Sequence, residues 1–137
     1  MKDLDWSNLS FGYRQTDYNV RCYYRDGKWG EIEVCSDEYL KLHMAATCLH
    51  YGQEAFEGLK AYRCPDGKVR VFRMDENAAR LQSTCRGILM PEVPTELFEE
   101  MVKKVVRLNQ EWIPTYESGA TLYIRPLLIG TDRKSVV

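Results

Sequence analysis

Leu97, Met101, Val105, Leu108 and Trp112 recur at steps of four and three, and this spacing constrains the fold more than any other feature of the chain. Residues so spaced share one side of an α-helix. The pattern predicts a helix, capped by Thr95, whose apolar stripe has to be covered by a sheet. A second helix is predicted from Glu76 to about Leu89, with Asp75 as N-cap and Pro91 ending it. A carboxylate at Asp75 can accept from the unpaired amides and face the positive end of the helix dipole.

The surface that covers these helices is predicted from turn chemistry. Val20 to Tyr24 and Trp29 to Val34 flank Arg25-Asp26-Gly27-Lys28, and Leu59 to Arg63 and Lys68 to Met74 flank Cys64-Pro65-Asp66-Gly67. Each Asp-Gly pair can supply the backbone of a tight turn, so two hairpins are expected. Leu40 to Gly58 reads as a loop leading into a short helix that Gly58 closes. Ala120 to Gly130 is an extended run whose alternation puts Tyr123 and Arg125 on one face and Leu122 and Ile124 on the other. Hairpins, two helices and a further strand give an α+β fold, a mainly antiparallel sheet covered on one side by two helices.

The 137 residues, 45% of them hydrophobic, suit a single domain spanning 1–137. A net charge of −1, with 28% charged residues of both signs, disfavours nucleic acid and anionic membrane as partners. No apolar run reaches a bilayer span, and Met1-Lys2-Asp3-Leu4-Asp5 lacks the pattern of a signal peptide, so a cytoplasmic protein is expected. Five cysteines without CxxC or His-linked spacing read as reduced thiols and offer no metal site. A nucleophilic cysteine would need His43 or His50 as activator, and a lone cysteine in an apolar stretch is more often a small core residue.

Three groups of residues could bind a small molecule. In Tyr123-x-Arg125, an arginine fork can clamp a carboxylate while the tyrosine donates a further bond, although spacing alone fits an ordinary exposed pair on a sheet better. Tyr51 and Phe56, five residues apart across a glycine-containing turn, could wall an apolar pocket; such rings are more often core packing. Arg80, in the first turns of the helix after Asp75, could make an anion site with nearby amides. A solvated helix arginine is the commoner outcome.

Taken in order, Phe11-Gly12, Leu49-His50-Tyr51, Phe56-Glu57-Gly58-Leu59-Lys60-Ala61-Tyr62-Arg63 and the run from Leu122-Tyr123-Ile124-Arg125-Pro126 to Thr131 resemble the N-terminal small domain of branched-chain amino-acid aminotransferases. These are class IV pyridoxal-phosphate enzymes. The resemblance covers nearly the whole chain and implies amino transfer between leucine, isoleucine or valine and 2-oxoglutarate by a homodimer. It implies that Phe11, Tyr51 and Phe56 line the hydrophobic substrate pocket and that Tyr123 and Arg125 border it, Arg125 accepting the acidic side chain of glutamate. By the same resemblance Arg80 grips the phosphate of pyridoxal 5'-phosphate, with Arg86 as the fallback. The Schiff-base lysine and the acidic partner of the pyridine nitrogen belong to a later domain in that family. Lys60, alternating with Leu59 and Ala61 on an expected strand, is not taken for that lysine, and no catalytic residue is assigned. The chain is therefore expected to be a domain fragment, inactive alone. A sister enzyme, D-amino-acid aminotransferase or aminodeoxychorismate lyase, and a non-catalytic interaction domain are the alternatives.

Overall fold

Asp26 and Gly27 both take positive φ, 54° and 80°, the backbone that a two-residue hairpin turn requires. The computed structural model describes residues 1–133; residues 134–137, the end of the expected domain, lie outside the described residues. In chain order its elements are β1 (Asn19–Arg21), β2 (Tyr24–Arg25), β3 (Lys28–Trp29), β4 (Glu33–Cys35), α1 (Thr47–Tyr51), β5 (Glu54–Phe56), β6 (Leu59–Arg63), β7 (Val69–Val71), α2 (Met74–Gly87), α3 (Thr95–Leu108), β8 (Leu122–Ile124) and β9 (Leu127–Ile129). Among the described residues every strand pairing is antiparallel. β2 meets β3 across the first turn, with β1 against β4 beyond it, and β6 meets β7 across the second, where Gly67 has φ 81°. Both expected hairpins are present, within the α+β architecture that the residue pattern predicts.

The extended run after Ser118-Gly119 forms two short strands, each with a different partner. β8 pairs with β6, setting Lys60 opposite Tyr123, and β9 pairs with β5, setting Phe56 opposite Leu127. The register offset is the same in both pairings, so Glu57 faces Pro126 and Gly58 faces Arg125 across the gap between them. Pro126 has no N–H to donate. One backbone bond, from the Glu57 amide to the Pro126 carbonyl at 3.0 Å, bridges the gap. Residues 54–63 and 122–129 thus make one long two-stranded ribbon, interrupted but not shifted.

Alternation sorts this ribbon into two faces. Ala55, Glu57, Leu59, Ala61 and Ile124 are buried, whereas Phe56, Lys60, Tyr123, Arg125 and Leu127 are exposed. The inner face joins Ala78, Leu81 and Cys85 of α2, Phe98, Val102 and Val106 of α3, and Val93 and Ile113 in one core. Alanines on both strand and helix leave room for close approach.

The helices correct several expectations. α2 begins at Met74, one residue before Asp75, because the turn out of β7 is made at Arg73 with φ 49°; Asp75 lies in the first turn, where its charge still complements the dipole. It ends at Gly87, short of Leu89. Thr95 is the first residue of α3 and Pro94 precedes it as N-cap. The buried row of α3 is Phe98, Val102 and Val106, with Leu97 and Val105 half-buried beside it. Both rows are apolar, so the four-residue repeat finds the correct side of the helix without finding its centre. Trp112 falls beyond the helix, in a 3₁₀ turn over Gln110–Trp112. The helix stops where buried Asn109 turns its side chain to other tasks: it accepts from the amides of Asp17 and Tyr18 at 3.2 and 3.1 Å and donates to the Tyr18 carbonyl at 3.0 Å. Gly52, with φ 61°, closes the short helix α1, and Gly58 lies later, between two strands.

Because Phe98 is buried at the centre of the α3 contact, Phe98→Ala is expected to cost about 3–5 kcal/mol. Lys104→Ala, on the exposed side, should stay within about 0.5 kcal/mol. Urea unfolding of the two variants beside the parent chain measures both.

Candidate functional site

The outer face of the ribbon gathers four side chains that the sequence singles out. The Arg125 guanidinium lies over the Phe56 ring, 4.3 Å from its centroid, and 5.1 Å from that of Tyr123. Its Nη2 donates to the Tyr123 hydroxyl at 2.9 Å. Phe11 packs edge-on against Tyr123 with centroids 5.6 Å apart. A cation held on aromatic faces keeps its in-plane N–H groups free for a carboxylate, while the rings exclude water around it. Phe11, Phe56 and Leu127 are 88%, 61% and 54% exposed, so apolar surface is available beside the cation.

Tyr123 can lean across residue 58 because that residue is glycine. A Cβ there would meet the Tyr123 hydroxyl and lie 3.2 Å from its ring carbon Cζ. The requirement is space, since the φ of Gly58 is not positive. Lys60, opposite Tyr123 in the register, brings a second cation to this face.

On the inner face one residue breaks the apolar row. The side chain of Glu57, between Phe56 and Gly58, is only 3% exposed and carries a carboxylate. It accepts from Arg80 Nε at 2.8 and 3.1 Å and from Arg80 Nη2 at 2.5 Å, and Asn77 Nδ2 adds a bond at 3.1 Å. The Arg80 bonds come first in holding the Glu57 carboxyl below the ordinary glutamate range. Burial opposes them and Asn77 assists. The Arg80 side chain is 68% exposed, so its outer edge faces solvent while its inner edge is fixed.

The structure thus brings Phe11, Phe56, Tyr123 and Arg125 together and sets Arg80 on α2 behind Glu57. Tyr51 stands at the end of α1 with its ring 6.5 Å from that of His50, and makes no ring or cation contact with the Phe56 cluster among the described residues. Arg86 is engaged with Glu92 on the surface. Sequence reasoning missed the roles of Gly58 and Glu57. Glu57 is legible afterwards as the one charged residue in the inward-facing series 55, 57, 59, 61; nothing local announces its partners on α2.

No family model matches the chain. A branched-chain-amino-acid aminotransferase of Haemophilus influenzae is 55% identical over 130 residues, which is 95% of this chain and 38% of that protein. The crystal structure of the Escherichia coli branched-chain amino acid aminotransferase superposes over 85% of the chain with a TM-score of 0.63 at 27% identity. The T.th. enzyme in complex with N-(5'-phosphopyridoxyl)-L-glutamate does so over 72%, with a TM-score of 0.57 at 29% identity. This chain is homologous to branched-chain aminotransferases. It spans 38% of the length of the H. influenzae relative and 34% of the E. coli chain.

Two outcomes follow from this geometry. Gly58→Ala should force the Tyr123 ring out and loosen its contact with Arg125, at a stability cost of about 1–3 kcal/mol; urea unfolding and the Tyr123 ring resonances report it. Because the folded pKa of Glu57 is depressed, its contribution to stability is fully present above the unfolded value of about 4.3 and is lost as pH falls through the folded value. Glu57→Gln should therefore flatten the acid side of the stability profile, measured by urea unfolding across a pH series.

Proposed function

We propose that this chain is the small domain of a branched-chain amino-acid aminotransferase, exchanging an amino group between leucine, isoleucine or valine and 2-oxoglutarate. The observation that carries this reading is the Arg125 guanidinium seated on Phe56 and hydrogen-bonded to Tyr123. Such an enzyme admits an aliphatic side chain in one half-reaction and a carboxylate in the other. Phe56 and Phe11 offer the aliphatic group a water-excluding wall, and Tyr51, which stands apart from them at the end of α1, is assigned to the same pocket in the complete protein. Arg125 offers the γ-carboxylate of glutamate a fork. Tyr123, whose oxygen accepts from Arg125, keeps its own proton to donate to that carboxylate. The complex of the T.th. relative with a phosphopyridoxyl glutamate supports the same pairing of cofactor and substrate here.

The residues present fit pyridoxal 5'-phosphate. Arg80 has its Nε side engaged by Glu57, and Nη1 meets no protein acceptor among the described residues, which suits a phosphate dianion arriving from solvent. When bound, the cofactor supplies the electron sink that transamination requires. Arg80 holds its phosphate end, and Arg125 and the ring wall orient the substrate side chain. The lysine that anchors the cofactor comes from another part of the polypeptide in this reading, and Lys60 is a surface cation of the site. The protein works in the cytoplasm as a homo-oligomer on glutamate, 2-oxoglutarate, the branched-chain amino acids and their oxo acids.

In the complete gene product, Phe56→Ala or Tyr51→Ala should cost about 1–3 kcal/mol of transition-state stabilisation with leucine, read from kcat/KM. Arg125→Ala should fall mainly on glutamate and 2-oxoglutarate. Single-turnover rates for each half-reaction decide the matter, and an equal loss in both would remove the clamp assignment.

A further inference from the structure

Arg80 reaches its phosphate-facing position from α2, a helix separate from the ribbon that carries the substrate wall, and one side chain joins the two. Glu57 lies between Phe56, under the Arg125 guanidinium, and Gly58, under the Tyr123 hydroxyl. Its carboxylate takes the Nε and one Nη of Arg80, and Asn77, a turn earlier on α2, bonds both to that carboxylate and to the Gly58 carbonyl at 3.4 Å. The backbone on either side of Glu57 thus carries the substrate wall, while its side chain carries the cation. Arginine has many rotamers, and an exposed one spends little time in any single orientation. Held along its Nε edge, Arg80 presents the remaining N–H groups outward in one direction.

We infer that Glu57 is a positioning residue, with Asn77 as its second support, that aims Arg80 at the phosphate and fixes the phosphate subsite relative to the Phe56–Tyr123–Arg125 wall. The inference rests on the reading of Arg80 as the phosphate holder. A charge argument predicts the opposite sign. The Glu57 carboxylate cancels the charge of Arg80, so its removal would strengthen anion binding if orientation did not matter. Orientation wins where the hydrogen bonds are bidentate and one partner is buried, because the cost of ordering the side chain is met before the anion arrives.

The test compares pyridoxal 5'-phosphate with pyridoxal, which lacks the phosphate, by equilibrium binding to the complete gene product. Arg80→Ala should cut the preference for the phosphorylated compound. Glu57→Gln, similar in shape but uncharged, should cut it by about tenfold, the scale of one misaligned charged hydrogen bond. Asn77→Ala should act in the same direction and less. Glu57→Gln combined with Arg80→Ala should lose no more preference than Arg80→Ala alone. If Arg80→Ala leaves the preference intact, the phosphate assignment fails and the inference fails with it. If Arg80→Ala lowers it while Glu57→Gln leaves it unchanged or raises it, the positioning role alone is overturned. Equal loss of both compounds in the Glu57 and Asn77 variants would make Glu57 a residue of the fold only and would also overturn it.

Discussion

A carboxylate taken out of water at the seam of two short strands governs the rest of this structure. Glu57 is almost fully buried, and an ionised group in that position is tolerated only when its oxygens are satisfied. The buried cluster on the same side, which includes Ala55, Leu59, Ala61, Ala78 and Ile124, has apolar side chains that cannot do so. Its partners come from α2, as Arg80 and Asn77. The helix is therefore placed both by apolar contact, which is indifferent to small slides along the ribbon, and by a set of hydrogen bonds that is not. Alanine-rich faces allow close packing without fixing its register, and the Glu57 bonds supply that specificity.

The seam exists because two irregularities coincide. Pro126 cannot donate to the ladder, and Gly58, opposite Arg125, yields space to the Tyr123 ring. Pairing is lost for two residues and resumes with the same offset. Keeping the offset matters, because a slip of one residue in a strand exchanges its two faces. Such a slip here would send Tyr123 and Arg125 into the core and expose Leu122 and Ile124.

The parts of the fold that were legible in the sequence are those set by short-range chemistry. Asp26-Gly27 and Asp66-Gly67 mark turns that any chain would make with those residues, and the alternation through Tyr123 and Arg125 assigns their face correctly. The helix start at Arg73 was not legible. It depends on how β7 delivers the chain to α2, and the left-handed backbone there has no glycine to announce it. The α3 stripe was found but set one residue off, because Leu97, Met101 and Val105 are apolar beside Phe98, Val102 and Val106. Packing against the rest of the core decides which row is central. In the candidate site, Arg80 was singled out through family likeness, and its hold on Glu57 was hidden because the two are 23 residues apart on different elements.

The ribbon divides labour by parity. Outward residues at 56, 60, 123 and 125 meet solvent, and inward residues at 55, 57, 59 and 61 are buried towards the helices. Substitutions on the outer face can alter the Phe56, Tyr123 and Arg125 contacts without touching the core. Glu57 is the exception, an inward residue whose partner's free edge faces outward again at Arg80. Through it a change in the core reaches the solvent side in one step, because the arginine that carries it is 68% exposed at its far end and held at its near end by a group that is 3% exposed. Rigidity in the interior is thereby passed to a side chain that reaches the surface, which an arginine held only by surface partners, such as Arg86, does not achieve.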